Sequence, residues 1–162
     1  MQAAPPRPGP APPAPRPSSS ARGPLATLSA PAVIGSGVGP VPMTATLRSL
    51  RRDGQLTVIE VGVTQVGKTA SGVGYFGDRN DRNVGRWRLV VPATGAVYLP
   101  AVDGGPPADS NAPCILGTQI KAMNGDVESL ITFWTAVLPA DLQRVDVDLG
   151  QLGIARDSPI SG

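Results

Sequence analysis

Hydrophobic and polar residues alternate with period two along much of the chain beyond residue 43. Ile59, Val61 and Val63 alternate with Glu60, Gly62 and Thr64, which predicts a strand with one buried face. Asp53-Gly54 separates this run from residues 44–51, so the two segments are expected to pair as a hairpin. Trp87, Leu89 and Val91 alternate with Arg86, Arg88 and Val90. Pro92-Ala93-Thr94-Gly95 then reads as a turn leading to a strand at 96–102. Asn124-Gly125 is a second hairpin signal, expected to join 119–123 to a strand at 128–135, where Leu130, Thr132 and Trp134 oppose Ile131 and Phe133. Residues 145–149 give a late strand, and 139–142 one short turn. No helical periodicity of useful length occurs. The expectation is an all-β chain, an antiparallel β-sandwich of about seven strands over residues 43–162, with Trp87 and Trp134 in its core.

Residues 1–42 break this pattern. They hold 12 of the 19 Pro, and the run from Ala4 to Pro17 can form neither helix nor ladder, because Pro lacks an N–H and fixes φ. A disordered, partly polyproline II spacer is expected there, continued by Ser18-Ser19-Ser20. A ligand for an SH3-like groove is the alternative reading of its PxxP spacings.

Composition removes several chemistries. The chain has no His and one Cys, so it has no Ser-His-Asp triad, no His-containing zinc site, no internal disulfide and no CxxC redox pair. The formal charge is +2, but residues 1–42 hold three Arg and no acid, while residues 43–162 hold 11 bases and 12 acids. A near-neutral folded part gives no ground for a nucleic-acid-binding face despite a pI near 9.1. No apolar run reaches the length of a transmembrane helix. Met1 to Pro17 also lacks the apolar core of a signal peptide, so any export signal is expected to lie outside this sequence.

One motif invites an enzymatic reading. Residues 62–69, Gly-Val-Thr-Gln-Val-Gly-Lys-Thr, match GxxxxGK[ST], the phosphate-cradling loop in which backbone N–H groups and Lys68 would hold a nucleotide. That loop must open onto a helix, whereas Gly72, Gly74 and Gly77 follow here, each unfavourable to helix by about 1 kcal/mol. The strand alternation also runs into the motif, so 66–74 is expected to be a glycine-rich loop between strands. The carboxylate pairs Asp146/Asp148 and Asp126/Glu128 lie two apart, placing each pair on one face, where acid–base or metal chemistry competes with a solvated outer face. Asp78-Arg79-Asn80-Asp81-Arg82-Asn83 has Arg82 where a calcium loop needs an oxygen ligand, so local ion pairs are expected there. Cys114 sits among apolar residues as a small hydrophobe, with chain cross-linking the alternative.

The order of landmarks resembles a β-sandwich module of actinobacterial envelope proteins. These modules often accompany an outer-membrane-protein-A-like domain and follow a lipidated Cys and a Pro-rich spacer. The likeness rests on Asp53-Gly54-Gln55-Leu56-Thr57-Val58-Ile59-Glu60-Val61-Gly62-Val63-Thr64, Gly74-Tyr75-Phe76-Gly77-Asp78 and Tyr98-Leu99-Pro100. It continues in Leu138-Pro139-Ala140-Asp141 through Val145-Asp146-Val147 and in Asp157-Ser158-Pro159-Ile160. Such modules commonly carry a pair of Cys near the position of Cys114, and here one remains. The resemblance implies an immunoglobulin-like fold, a secreted or cell-envelope setting (a cytoplasmic one being the alternative) and no catalytic residue, cofactor or metal. The expected function is a non-catalytic interaction module. A protein or cell-wall glycan partner would meet Tyr75, Phe76, Arg79, Arg82, Arg86 and Arg88. The alternatives are a nucleotide-binding protein using residues 62–69 and a structural subunit that assembles through strand edges.

Overall fold

A computed structural model describes residues 23–32, 39–67, 71–72, 87–101, 122–123 and 125–162. Two antiparallel four-stranded sheets face each other. The first has the order β1 (Ala26–Ala32), β2 (Val41–Asp53), β3 (Leu56–Gln65) and β8 (Ser129–Ala136). The second has the order β10 (Ile154–Pro159), β9 (Arg144–Asp148), β5 (Arg88–Val91) and β6 (Ala96–Tyr98). A separate ribbon pairs β4 (Ser71–Gly72) with β7 (Ala122–Met123). Among the described residues ten strands form, β1 outside and nine wholly or largely inside the 43–162 range for which the alternation predicts about seven, and the all-β, two-sheet arrangement is the expected one.

The period-two runs become the two inner faces. Met43, Ala45, Leu47 and Leu50 of β2, Ile59, Val61 and Val63 of β3, and Ile131 and Phe133 of β8 point inward from the first sheet. Leu89, Val91, Val145, Val147 and Ala155 meet them from the second. Trp87, fully buried just before β5, packs edge-on against Phe133 with ring centroids 5.6 Å apart. Edge-to-face packing aligns the positive ring edge with the negative face and adds about 0.5–1.5 kcal/mol to the burial.

The Asp53-Gly54 hairpin forms as expected. Asp53 pairs with Leu56, and Gly54 has a φ of 62° at the first loop position, which a II′ turn reserves for glycine. Within β2 the register shifts between Leu47 and Ser49, so Arg48 is an extra residue in a bulge. The bulge keeps both Leu47 and Leu50 inward although they are three residues apart.

Four expectations are corrected. Residues 26–32, assigned to the spacer, form β1, which pairs with 41–47 of β2. Proline density masked an alternation in which Ala26, Leu28, Ala30 and Ala32 turn toward the core, and Pro31 is tolerated because β1 is an edge strand. Trp134 lies on the outer face of β8, half-buried, while its neighbour Phe133 takes the core. The strand expected at 96–102 stops at Tyr98, and Pro100 crosses to bridge Thr135 at the outer edge of β8. Finally, β7 (Ala122–Met123) pairs with β4 and β8 pairs with β3, so these two strands are not hairpin partners, while Asn124 lies outside the described residues. Asp126 instead takes a φ of 62° and donates its N–H to the Gln65 carbonyl at 2.8 Å, turning the chain onto the end of β3.

Candidate functional site

Of the six residues expected to meet a partner, Tyr75, Phe76, Arg79, Arg82 and Arg86 lie outside the described residues, as do the 78–83 triplets, Lys68, Thr69 and Cys114. Arg88 is described. It stands on the outer face of β5, and its Nε donates to Asp148 Oδ2 at 2.8 Å. Its guanidinium is about half exposed, so one side still faces solvent.

The paired carboxylates of β9 do share a face, as their spacing demands. Each is engaged on both oxygens. Asp148 accepts from Arg88 on Oδ2 and from the Gly150 N–H on Oδ1 at 3.0 Å. Asp146 accepts from Arg156 at 3.2 Å on Oδ2 and from the Asp157 N–H at 2.8 Å on Oδ1. The second set holds the bulge between Ala155 and Ser158 of β10, where Asp157 adopts a φ of 51°. Arg144 then grips Asp157 through both its carboxylate, at 2.6 Å, and its carbonyl, at 2.5 Å. Asp146 and Asp148 therefore tie β9 to two strands, β5 and β10, and to the turn at Gly150.

Asp126 and Glu128 part company. Asp126 Oδ1 accepts the Gly67 N–H at 3.0 Å. Glu128 lies across the outer face of the first sheet and takes a two-pronged bond from Arg48, Nε to Oε1 at 3.2 Å and Nη2 to Oε2 at 2.5 Å.

These two contacts fall on the nucleotide-like motif. Gly62, Val63, Thr64 and Gln65 are the last four residues of β3, and Val66 donates its N–H to the Pro42 carbonyl at 2.9 Å. The Glu128 carboxylate occupies the space a side chain at Gly62 would need, with Glu128 Cγ 3.0 Å from the position of its Cβ. Thus Gly62 is bare so that the Arg48–Glu128 pair can lie flat over the strand. The N–H of Gly67, which a phosphate-binding loop would turn to its ligand, is bonded to a carboxylate. Both motif glycines face acidic groups.

Sequence reasoning missed Arg52. Its guanidinium donates to the carbonyls of Leu138 at 3.2 Å, Pro139 at 2.6 Å and Leu142, and also to that of Gly162 at 3.2 Å. The Thr57 hydroxyl accepts the Leu138 N–H at 3.0 Å beneath it. Arg52 thereby caps the turn between β8 and β9. The Arg51-Arg52 doublet beside Asp53 was a visible signal, but it reads equally as a solvated strand end. On the outer face of the same sheet, Ser49 Oγ donates to Glu60 Oε2 at 2.7 Å.

A shallow groove of 310 Å³ lies along β1 and β2 beside Val66, lined by Ser29, Pro31, Pro42 and Thr44 among others, with no titratable side chain. Among the described residues, no group of three or more potential metal ligands comes together, and no helix is long and apolar enough to cross a membrane. Comparison with protein-family models, with curated proteins and with solved structures finds no match to this chain.

Proposed function

We propose that this chain is a non-catalytic interaction module of immunoglobulin-like fold, exported to the cell envelope, where it binds a protein or cell-wall glycan through the 74–88 region. One observation carries the non-catalytic reading. The carboxylates that the spacing offers for chemistry, Asp126, Glu128, Asp146 and Asp148, are bound to arginines or backbone N–H groups that hold strands together. Chemistry at any of them would first have to break a structural bond.

The strand order supports the immunoglobulin-like part. Constant-type domains place strands A, B, E and D in one sheet and C, F and G in the other. With β1 set aside, β2-β3-β8 follow the A-B-E order, and Pro100-Ala101 bridge the outer edge of β8 where D would lie. Strands β10, β9 and β5 follow G-F-C, with β6 added at the C edge. Trp87, buried just before β5, stands at the start of the strand that corresponds to C in this order, the strand that carries the buried Trp of such domains. The envelope setting rests on the likeness of the Asp53–Thr64 region and the later landmarks to envelope modules.

Co-sedimentation with a cell-envelope fraction tests the reading. The full chain is expected to be retained, and Arg79→Ser/Arg82→Ser/Arg86→Ser to lose most of that retention with unchanged thermal unfolding. Arg88 is left intact because its bond to Asp148 belongs to the fold. Failure of the full chain to sediment with the envelope fraction overturns the proposal.

A further inference from the structure

We infer that β6 is a self-pairing edge through which two copies of this chain associate, their second sheets joined about a two-fold axis at Val97. A sheet edge exposes a row of N–H and C=O groups, and proteins blunt such rows with charge, bulges, proline or a covering segment. Three of the four edges carry those devices. On β1, Pro31 interrupts the donor row, and Leu28 packs 3.8 Å from the position of a Gly153 Cβ. The edge of β8 is taken by Pro100, with Ala101 donating to the Trp134 carbonyl at 2.7 Å. The edge of β10 is broken by a bulge that carries Arg156 and Asp157.

Strand β6 differs. Residues 92–101 contain no charged side chain, and Ala96, Val97 and Tyr98 pair with β5 in unbroken register. Among the described residues nothing pairs with its other side. Val97 is 48% and Leu99 61% exposed.

The occupant follows from the sequence of the edge itself. Antiparallel pairing of two β6 strands centred on Val97 sets Val97 opposite Val97, and Tyr98 opposite Ala96. It also brings Leu99 to Gly95. Tyr98 and Leu99 then each meet a small residue, the two Val97 side chains pack on each other, and an uncharged strand meets its copy without repulsion. A ladder this short belongs to the weak class of interfaces, below about 1,200 Å² of buried surface, so association that rises with concentration is expected rather than a permanent dimer. The inference does not depend on the envelope partner proposed above.

Disulfide trapping tests it. In an antiparallel ladder, opposed residues have Cα atoms about 4.5–5.5 Å apart, within the range a disulfide spans. In a Cys114→Ser background, Val97→Cys should form a dimer quantitatively under mild oxidation. Leu130→Cys, 49% exposed but on the outer face of β8, should remain monomeric. In sedimentation velocity, the full chain without these substitutions should gain mass with concentration, and Val97→Lys should weaken that association at least tenfold with unchanged thermal unfolding. A mass of one chain at every concentration overturns the inference, as does trapping no faster for Val97→Cys than for Leu130→Cys. Loss of envelope retention with self-association intact would count against the partner proposal alone.

Discussion

Replacing Arg52 by Ala removes donors from the carbonyls of Leu138, Pro139, Leu142 and Gly162 in one step. Hydrogen bonds from a charged group are worth about 1.5–3 kcal/mol, and these share one partly solvated guanidinium, so a loss of about 2–3 kcal/mol is expected by urea denaturation. Lys should recover less than half, since an ammonium cannot span carbonyls set around a planar fork. A loss below about 1 kcal/mol would mean that the cap contributes little. Gly62 permits a subtler check. Glu128 is a flexible side chain, so Gly62→Ala should fold, with Glu128 swung aside at a cost below about 1 kcal/mol. The coupling between Arg48 and Glu128 in a double-mutant cycle should then fall to near zero, whereas in the parent it should reach about 0.5–1 kcal/mol. Coupling that survives the substitution would show that the bare strand is not what admits the pair. This arrangement was hidden in the sequence because Arg48 and Glu128 are 80 residues apart, and a glycine inside a motif attracts the motif's explanation first.

Alternation reveals that a strand has two faces without saying which one is covered. That ambiguity decides the fate of the two neighbouring aromatics of β8. Phe133, fully buried against Trp87, should cost about 3–5 kcal/mol when replaced by Ala, and Trp134 on the outer face well under half of that. Comparable losses would place both rings in the core. The hairpin of β2 and β3 was legible because Asp53-Gly54 encodes its turn locally, and β9 because Val145 and Val147 alternate cleanly with acids. Strand β1 was not, since its inward residues are mostly alanines in a proline-rich stretch and its pairing depends on β2. Leu28→Ala tests that assignment. A half-buried leucine against the sandwich should cost about 1–2 kcal/mol in thermal or urea unfolding, and a neutral result would return residues 26–32 to the role of spacer. The ribbon of β4 and β7 was equally illegible, because two residues on each side carry no pattern.

For the whole molecule, the carboxylates at both motif glycines predict a flat response to nucleotides. Addition of ATP or GTP with magnesium should leave the unfolding temperature unchanged, and Lys68→Ala should make no difference. Stabilisation that the substitution abolishes would restore the nucleotide-binding reading. The class of fold was legible because turn residues and alternation act over a few positions. The lattice of Arg88, Asp146, Asp148 and Arg156 was not, since it depends on which strands become neighbours across the second sheet. Two backbone bonds that flank the bulge at Arg48 set how the domain transmits tension. On one side of it, Leu25 donates to the Leu47 carbonyl at 2.8 Å, and on the other Ser161 donates to the Leu50 carbonyl at 3.0 Å. The chain thus enters and leaves the sandwich beside the same stretch of β2, roughly 10–15 Å apart at the rise of a strand. A pull on both ends would find the domain hanging from the line of force like a bead on a loop. While folded, it would add little to the reach of a tether, and unravelling would release well over a hundred residues of slack.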